Sequence, residues 1–143
     1  MCYNNAMLTV EEFEKTVIQD KKPAALCFTA DWCQPSQAQI KVIEELRPKY
    51  EEKFLIEVLD VEQSSELAKT LKINNIPSTL FYAEGELQEQ NCLYGYQDAS
   101  MLTDSFECTL WEMENKSSAN KYIWWIIGVL ALVAVFLLLY VRY

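Results

Sequence analysis

The residues best suited to chemistry lie together at positions 31–36, where the sequence reads DWCQPS. Cys33 stands at the predicted start of a long helix, spanning about residues 33–50. A helix N-terminus presents unpaired N–H groups and a partial positive charge, which favour a thiolate over a thiol. Pro35 suits the first helical turn, where no backbone N–H is needed. Cys33 is therefore a candidate nucleophile toward disulfides.

Ser36 limits what Cys33 can do. Its hydroxyl can stabilise a thiolate at Cys33, but a serine cannot attack a mixed disulfide to release the bound substrate. Release then needs an outside thiol, such as glutathione or the substrate's own cysteine. Because the motif has no second thiol, the sequence predicts a monothiol site in which Cys33 is the nucleophile.

This hexapeptide resembles the active-site motif of thioredoxins, a tryptophan followed by Cys-x-Pro-Cys. The resemblance implies that Ser36 replaces the resolving cysteine of that motif. A second match is the sequence NIPST at 75–79, because thioredoxins place a cis-proline preceded by an aliphatic residue before the third strand. Gly95 is a third match. The resemblance covers residues 9 to about 114 and implies a thioredoxin-like α/β fold.

The resemblance also implies how a substrate is bound. In this family the cis-proline lies against the reactive cysteine, and the preceding residue offers backbone groups to an extended peptide. Carried over, Ile76 pairs with the substrate chain and Trp32 forms an apolar wall beside the sulfur. The implied binding residues are thus Trp32, Pro35, Ile76 and Pro77.

Two departures from the thioredoxin pattern concern acid–base chemistry. Cys27 occupies the place of a buried aspartate that helps to deprotonate the second cysteine in thioredoxins. The basic partner expected in the next strand is also missing, at residues 57–59. Both changes fit a site without a second cysteine, and both fit decay of the redox function.

The predicted elements supply the frame that positions this site. The strands are expected at 24–30, 54–60, 78–83 and 87–94, and the helices at 9–20, 33–50, 64–71 and 98–114. Pro48 is expected to kink or end the second helix. The element order αβαβαββα predicts a mixed sheet with helices on both faces.

Residues 122–141 contain no charge and no proline, and aromatic rings lie near both ends. Twenty helical residues rise about 30 Å, the thickness of a bilayer's hydrocarbon core. We predict a domain at 1–114, a polar linker at 115–121 and a single transmembrane helix at 122–141. Because the N-terminus lacks the pattern of a signal peptide, a tail anchor with a cytosolic domain is expected.

Composition narrows the function classes further. The 21 acidic and 12 basic residues give a net charge of −9, which argues against nucleic acid as a partner. With no histidine, a Cys/His metal site and histidine-activated nucleophiles are excluded, and no cofactor is expected.

The five cysteines fit no disulfide framework. Free cysteines are typical of a reducing compartment. Cys27 is expected to be a buried apolar residue, and Cys108 to be at least partly buried. A resolving role for Cys2 or Cys92 stays open.

The leading hypothesis is a membrane-tethered thiol–disulfide oxidoreductase or isomerase that forms mixed disulfides through Cys33. Its partners would be protein or glutathione thiols, and deglutathionylation belongs to the same reaction class. The first alternative is a non-catalytic binding or adaptor module on the same fold. The second is a structural accessory of a membrane complex. Only the leading hypothesis, the thiol–disulfide exchange protein, requires Cys33 to be nucleophilic.

Overall fold

The computed structural model describes the backbone of residues 8–141. It describes their side chains except those of residues 117–124, 135, 136 and 138–141. The chain forms two compact units, Met1–Leu110 and Trp111–Tyr143. The candidate site lies entirely within the first unit.

The elements follow the predicted order closely. The strands are β1 (Ala24–Thr29), β2 (Leu55–Asp60), β3 (Ser78–Ala83), β4 (Glu86–Leu87) and β5 (Leu93–Tyr94). The helices are α1 (Val10–Phe13), α2 (Gln34–Tyr50), α3 (Ser65–Thr70) and α4 (Ala99–Val141). α1 begins at a capping box formed by Thr9 and Glu12, and continues as a π-helical segment, Glu14–Gln19.

The sheet is mixed, as predicted, with the strand order β2-β1-β3-β4 and with β5 also paired to β3. β1 runs parallel to β2 and antiparallel to β3. Parallel neighbours need a crossover connection, and α2 supplies it between β1 and β2. This crossover fixes the start of α2 at the carboxyl end of β1.

Both faces of the sheet are covered, because successive residues of a strand point to opposite faces. Ala24, Leu26 and Phe28 of β1 pack in a core with residues of α1 and α3. Ala25 and Cys27 pack in a second core with residues of α2 and the first turns of α4. The prediction of helices on both faces is confirmed.

The prediction of one strand over residues 87–94 is wrong. A 3-10 turn, Glu89–Asn91, separates β4 from β5. Asn91 is buried, and its Nδ2 donates a hydrogen bond to Thr109 Oγ1 over 3.0 Å. This bond holds the polar segment against α4, so the segment leaves the sheet.

The ends of two helices can also be compared with the prediction. α2 ends at Tyr50, as predicted, and Pro48 lies in its last turn. α4 keeps a helical backbone from Ala99 to Val141, so residues 115–121 form no break in it. Among the residues described, none of the helices is long and apolar enough to cross a membrane. The predicted span at 122–141 lies partly outside the described side chains. The span, the domain boundaries and the cytosolic location stay predictions.

Candidate functional site

Cys33 is the N-cap residue of α2. Its backbone is extended, with φ −96° and ψ 108°, and its carbonyl accepts the first helical hydrogen bond from Gln37 N–H over 3.2 Å. Its own N–H donates to the carbonyl of Ala30 over 3.1 Å, which closes the turn after β1. Pro35 lies in the first helical turn. The half-buried thiol of Cys33 is therefore positioned at a helix N-terminus.

Ser36 does not support Cys33 in the way the sequence suggests. Its side chain is fully buried, and among the described residues its Oγ has no hydrogen-bond partner. The predicted hydrogen bond from Ser36 to Cys33 is absent. Ser36 lies on the buried face of α2 that also carries Ile40 and Ile43, whereas Cys33 precedes the helix. Burial of a hydroxyl without a partner costs stability, about 1–3 kcal/mol in general.

Trp32 is 70% exposed, yet its ring is held in place. Its Nε1 donates to Glu62 Oε1 over 2.9 Å. Glu62 is positioned in turn by Asp60, whose Oδ1 accepts hydrogen bonds from the N–H groups of Glu62 and Gln63. Our sequence reasoning missed Glu62. The signal available was an aspartate at a strand end, which commonly shapes the following turn.

The segment around Pro77 is tied to the loop that follows β5. The Ile76–Pro77 peptide bond is cis, as the resemblance implies. The N–H of Gly95 donates to the carbonyl of Pro77 over 2.7 Å, and Gly95 adopts a φ of +82°. A positive φ of this size favours glycine over other residues. Gly95 thus holds the Pro77 segment with a close backbone contact.

Gln39 connects the same loop to α2. It is 1% exposed, and its Oε1 accepts a hydrogen bond from Gln97 N–H over 2.7 Å. Its Nε2 has no partner among the described residues. Our sequence reasoning missed Gln39 as well. The signal was a glutamine next to Ile40 and Ile43 on the buried face of α2.

A groove of about 570 Å³ lies beside the motif, between Trp32, α3 and the segment before Pro77. Trp32 and Ile76 both line it, so the structure brings together two of the predicted binding residues. Its other apolar lining residues are Val61, Ala68 and Ile73. Neither Pro35 nor Pro77 is among the described residues that line the groove, and neither is Cys33, which follows Trp32 in the chain.

Cys27 is a neutral group in β1, in the core between the sheet and α2. It is completely buried, and burial raises the pKa of its thiol to about 12, with a smaller opposing effect from a hydrogen bond with Thr79. Val58 lies opposite Cys27 in β2. Burial also raises the pKa of the neighbouring Glu57 carboxyl. A buried protonated thiol therefore occupies the position at which thioredoxins carry a buried aspartate.

The remaining cysteines lie elsewhere. Cys92 is half-buried, and burial raises the pKa of its thiol. Cys108 is exposed, so the prediction that it is at least partly buried is wrong. The face of α4 that enters the core carries Leu102 and Phe106 instead. Cys2 lies outside the described residues. The four described cysteines are free of disulfide bonds.

The mixed sheet, the cysteine at the start of α2 and the cis-proline before β3 define a thioredoxin-fold domain. The family profile described as Thioredoxin matches residues 4–107, and the chain belongs to this family. Its site carries Cys33 and Ser36 where thioredoxins carry two cysteines.

Two relatives illustrate the similarity in sequence. The chain is 32% identical over 95 residues to the chloroplastic thioredoxin M-type of Spinacia oleracea, covering 66% of this chain and 51% of the relative. It is 35% identical over 82 residues to thioredoxin C-2 of Corynebacterium nephridii, covering 57% of this chain and 76% of the relative. The chain thus spans about half the length of the spinach protein.

Solved structures show the same fold. Fasciola hepatica thioredoxin superposes with a TM-score of 0.64 at 20% identity, covering 72% of this chain and 96% of that one. Malassezia sympodialis thioredoxin gives a TM-score of 0.63 at 22% identity, covering 71% and 85%.

Proposed function

We propose that this protein is a monothiol thiol–disulfide oxidoreductase that forms mixed disulfides with protein or glutathione thiols through Cys33. The observation that carries the proposal is the position of Cys33, a half-buried thiol at the N-cap of α2. The partial positive charge of a helix N-terminus stabilises the thiolate, which is the attacking species. The neighbouring groove offers Trp32 and Ile76 to a bound peptide.

The reaction is a thiol–disulfide exchange. The Cys33 thiolate attacks one sulfur of a substrate disulfide, so a new S–S bond forms and the original S–S bond breaks. The departing sulfur leaves as a thiolate and takes up a proton from water. A second thiolate, from glutathione or from the substrate, then attacks the mixed disulfide and restores the Cys33 thiolate. No net electron transfer to an internal disulfide is required.

The second thiol comes from outside the motif. Ser36 is buried and has no sulfur to offer. Cys27 is completely buried, and its raised pKa keeps the thiol protonated. A protonated thiol is a poor nucleophile toward a mixed disulfide. These properties favour deglutathionylation or isomerisation over dithiol reduction.

We further propose that residues 122–141 tether the domain to a membrane. The segment carries no charged residue, and its backbone is helical. Its described side chains include exposed apolar groups, with Leu130 at 63% and Leu132 at 73% exposure. Exposed apolar surface of this kind is stabilised by a lipid environment. The domain is proposed to face the cytosol, where free cysteines persist.

The activity is tested with the full chain in a neutral detergent and a glutathionylated model peptide. Mass spectrometry of the acid-quenched protein should show a glutathione adduct on Cys33, and added glutathione should remove it. The C33S variant should form no adduct at this position, and C108S should behave as wild type. A wild-type protein that never acquires the adduct would contradict the exchange mechanism.

The tether is tested separately by flotation with neutral lipid vesicles. The full chain should float with the vesicles and resist alkaline extraction. The L130E/L132E variant should float less, because charges at the centre of a span are costly, about 2.5–3.5 kcal/mol each for aspartate, lysine and arginine on insertion scales. A conservative L130A/L132A variant is the control. Wild-type protein that stays in solution would overturn the tether.

A further inference from the structure

The groove beside Trp32 has a charge opposite to that of the chain. Among the described residues that line it, Lys69 and Lys72 are the charged ones, and both are basic. Its other polar lining residues, Ser65, Asn74 and Asn75, are neutral. The chain as a whole carries 21 acidic and 12 basic residues. A basic groove is therefore a local exception on an acidic protein.

The two lysines are also available for a partner. Both are exposed, and neither ammonium group forms a hydrogen bond or an ion pair within the described part of the chain. The carboxylate of Glu62 accepts a hydrogen bond from Trp32 Nε1. Elsewhere, lysines do pair internally, as Lys49 does with Glu107 over 3.0 Å.

We propose that this groove selects substrates in which the target cysteine lies in an acidic, extended peptide segment. Apolar side chains of the segment contact Trp32, Val61 and Ile76, and carboxylates pair with Lys69 and Lys72. Charge complementarity of this kind chooses between partners more than it raises affinity. The inference rests on the proposed function, since it names the substrates of Cys33.

The first experiment measures binding without chemistry. Fluorescent peptides carry serine in place of the target cysteine, flanked by glutamates, glutamines or lysines, and anisotropy is recorded with the full chain in neutral detergent. The glutamate peptide should bind roughly fivefold more tightly than its glutamine counterpart, as two partly exposed ion pairs allow. The preference should shrink at high salt.

Lysine variants test whether the preference for acidic peptides depends on the groove. K69Q/K72Q should abolish the discrimination between glutamate and glutamine peptides, and K69E/K72E should reverse it in favour of the lysine peptide. The control K15Q/K53Q removes two exposed lysines that do not line the groove, so it changes the net charge equally. It should keep the preference.

The second experiment repeats the series with glutathionylated cysteine peptides and measures the rate of adduct transfer to Cys33. Equal binding of all peptides, or a preference that survives in K69Q/K72Q, would overturn the acidic-substrate inference while leaving the exchange reaction intact. Selective binding without any transfer would contradict the proposed function instead. Displacement of the acidic peptide by free glutathione at similar affinity, or burial of the groove in a dimer of the chain, would also overturn the inference.

Discussion

The N–H of Gln97 donates a 2.7 Å hydrogen bond to Oε1 of Gln39, in the interior of the helix for which Cys33 is the N-cap residue. The same loop holds Pro77 through Gly95 N–H. One buried side chain therefore links the helix that follows Cys33 to the loop that supports the Pro77 segment. Gln39 is a positioning residue, because it acts on the site through its neighbours.

Replacing Gln39 should affect large substrates more than small ones. Q39L keeps the side-chain size but removes the acceptor for Gln97, so the loop loses its tie to α2. We expect the rate of Cys33 with a peptide disulfide to fall several-fold relative to wild type, and the rate with iodoacetamide to stay the same. The control is Q37L, which alters a glutamine on the same helix that lacks this bond. Equal losses with both reagents would indicate a general structural defect.

The buried hydroxyl of Ser36 should reduce stability. S36A removes a polar atom that has no partner in the described structure, so the free energy of unfolding should rise by about 1 kcal/mol. Urea unfolding measures the change, and S100A at an exposed position of α4 is the control. A marked loss of stability in S36A would show that the hydroxyl has a partner after all.

Restoring a second thiol should change the reaction type. In S36C the introduced thiol lies three residues along the chain from Cys33, which restores the Cys-x-Pro-Cys spacing of the thioredoxin motif. After treatment with oxidised glutathione, wild type should retain a glutathione adduct on Cys33. S36C should release the glutathione and keep an internal disulfide. Mass spectrometry distinguishes the glutathione adduct from the internal disulfide. A stable adduct in both proteins would show that Ser36 does not set the monothiol behaviour.

Cys27 should make stability fall at alkaline pH. Its pKa is raised to about 12 in the folded state, from an ordinary value of 9.0. Above about pH 9 the thiol ionises in the unfolded chain but stays neutral in the folded one. The contribution of Cys27 to the free energy of unfolding is therefore complete below about pH 9 and is lost as the pH rises toward about pH 12. Over this pH interval the free energy of unfolding should fall less in C27A than in wild type. Urea titrations at successive pH values measure the difference. The other groups whose pKa is raised by burial, such as Tyr82, are present in both proteins. An identical pH dependence of stability in C27A and wild type would therefore contradict a buried neutral thiol at Cys27.

Much of the frame could be predicted from local sequence. β1 is a short apolar run that ends at Thr29, and α2 begins beside Cys33 because Pro35 fits a first turn. The segment at 87–94 could not be predicted in the same way. Its break depends on Asn91 meeting Thr109, which is far along the chain.

The partners of the supporting residues could not be predicted from the sequence. Glu62 and Gln39 act through partners 30 and 58 residues away. The local signals at these two residues do not indicate which residue each one contacts. Cys108 was predicted to be at least partly buried because it has apolar neighbours in the sequence, but it is exposed. Apolar neighbours on a helix do not fix which face a residue occupies.

The central claim, that Cys33 is a nucleophile activated by its place at the helix N-terminus, is tested most directly by comparing two single-cysteine forms of the full chain. One keeps Cys33 and the other keeps Cys108, an exposed thiol within α4. Their rates with oxidised glutathione and with iodoacetamide are measured near neutral pH in the same detergent. We predict that Cys33 reacts at least about tenfold faster, in line with the greater thiolate fraction at helix N-termini. Equal rates, or a slower reaction at Cys33, would contradict the account and favour a binding module on the thioredoxin fold.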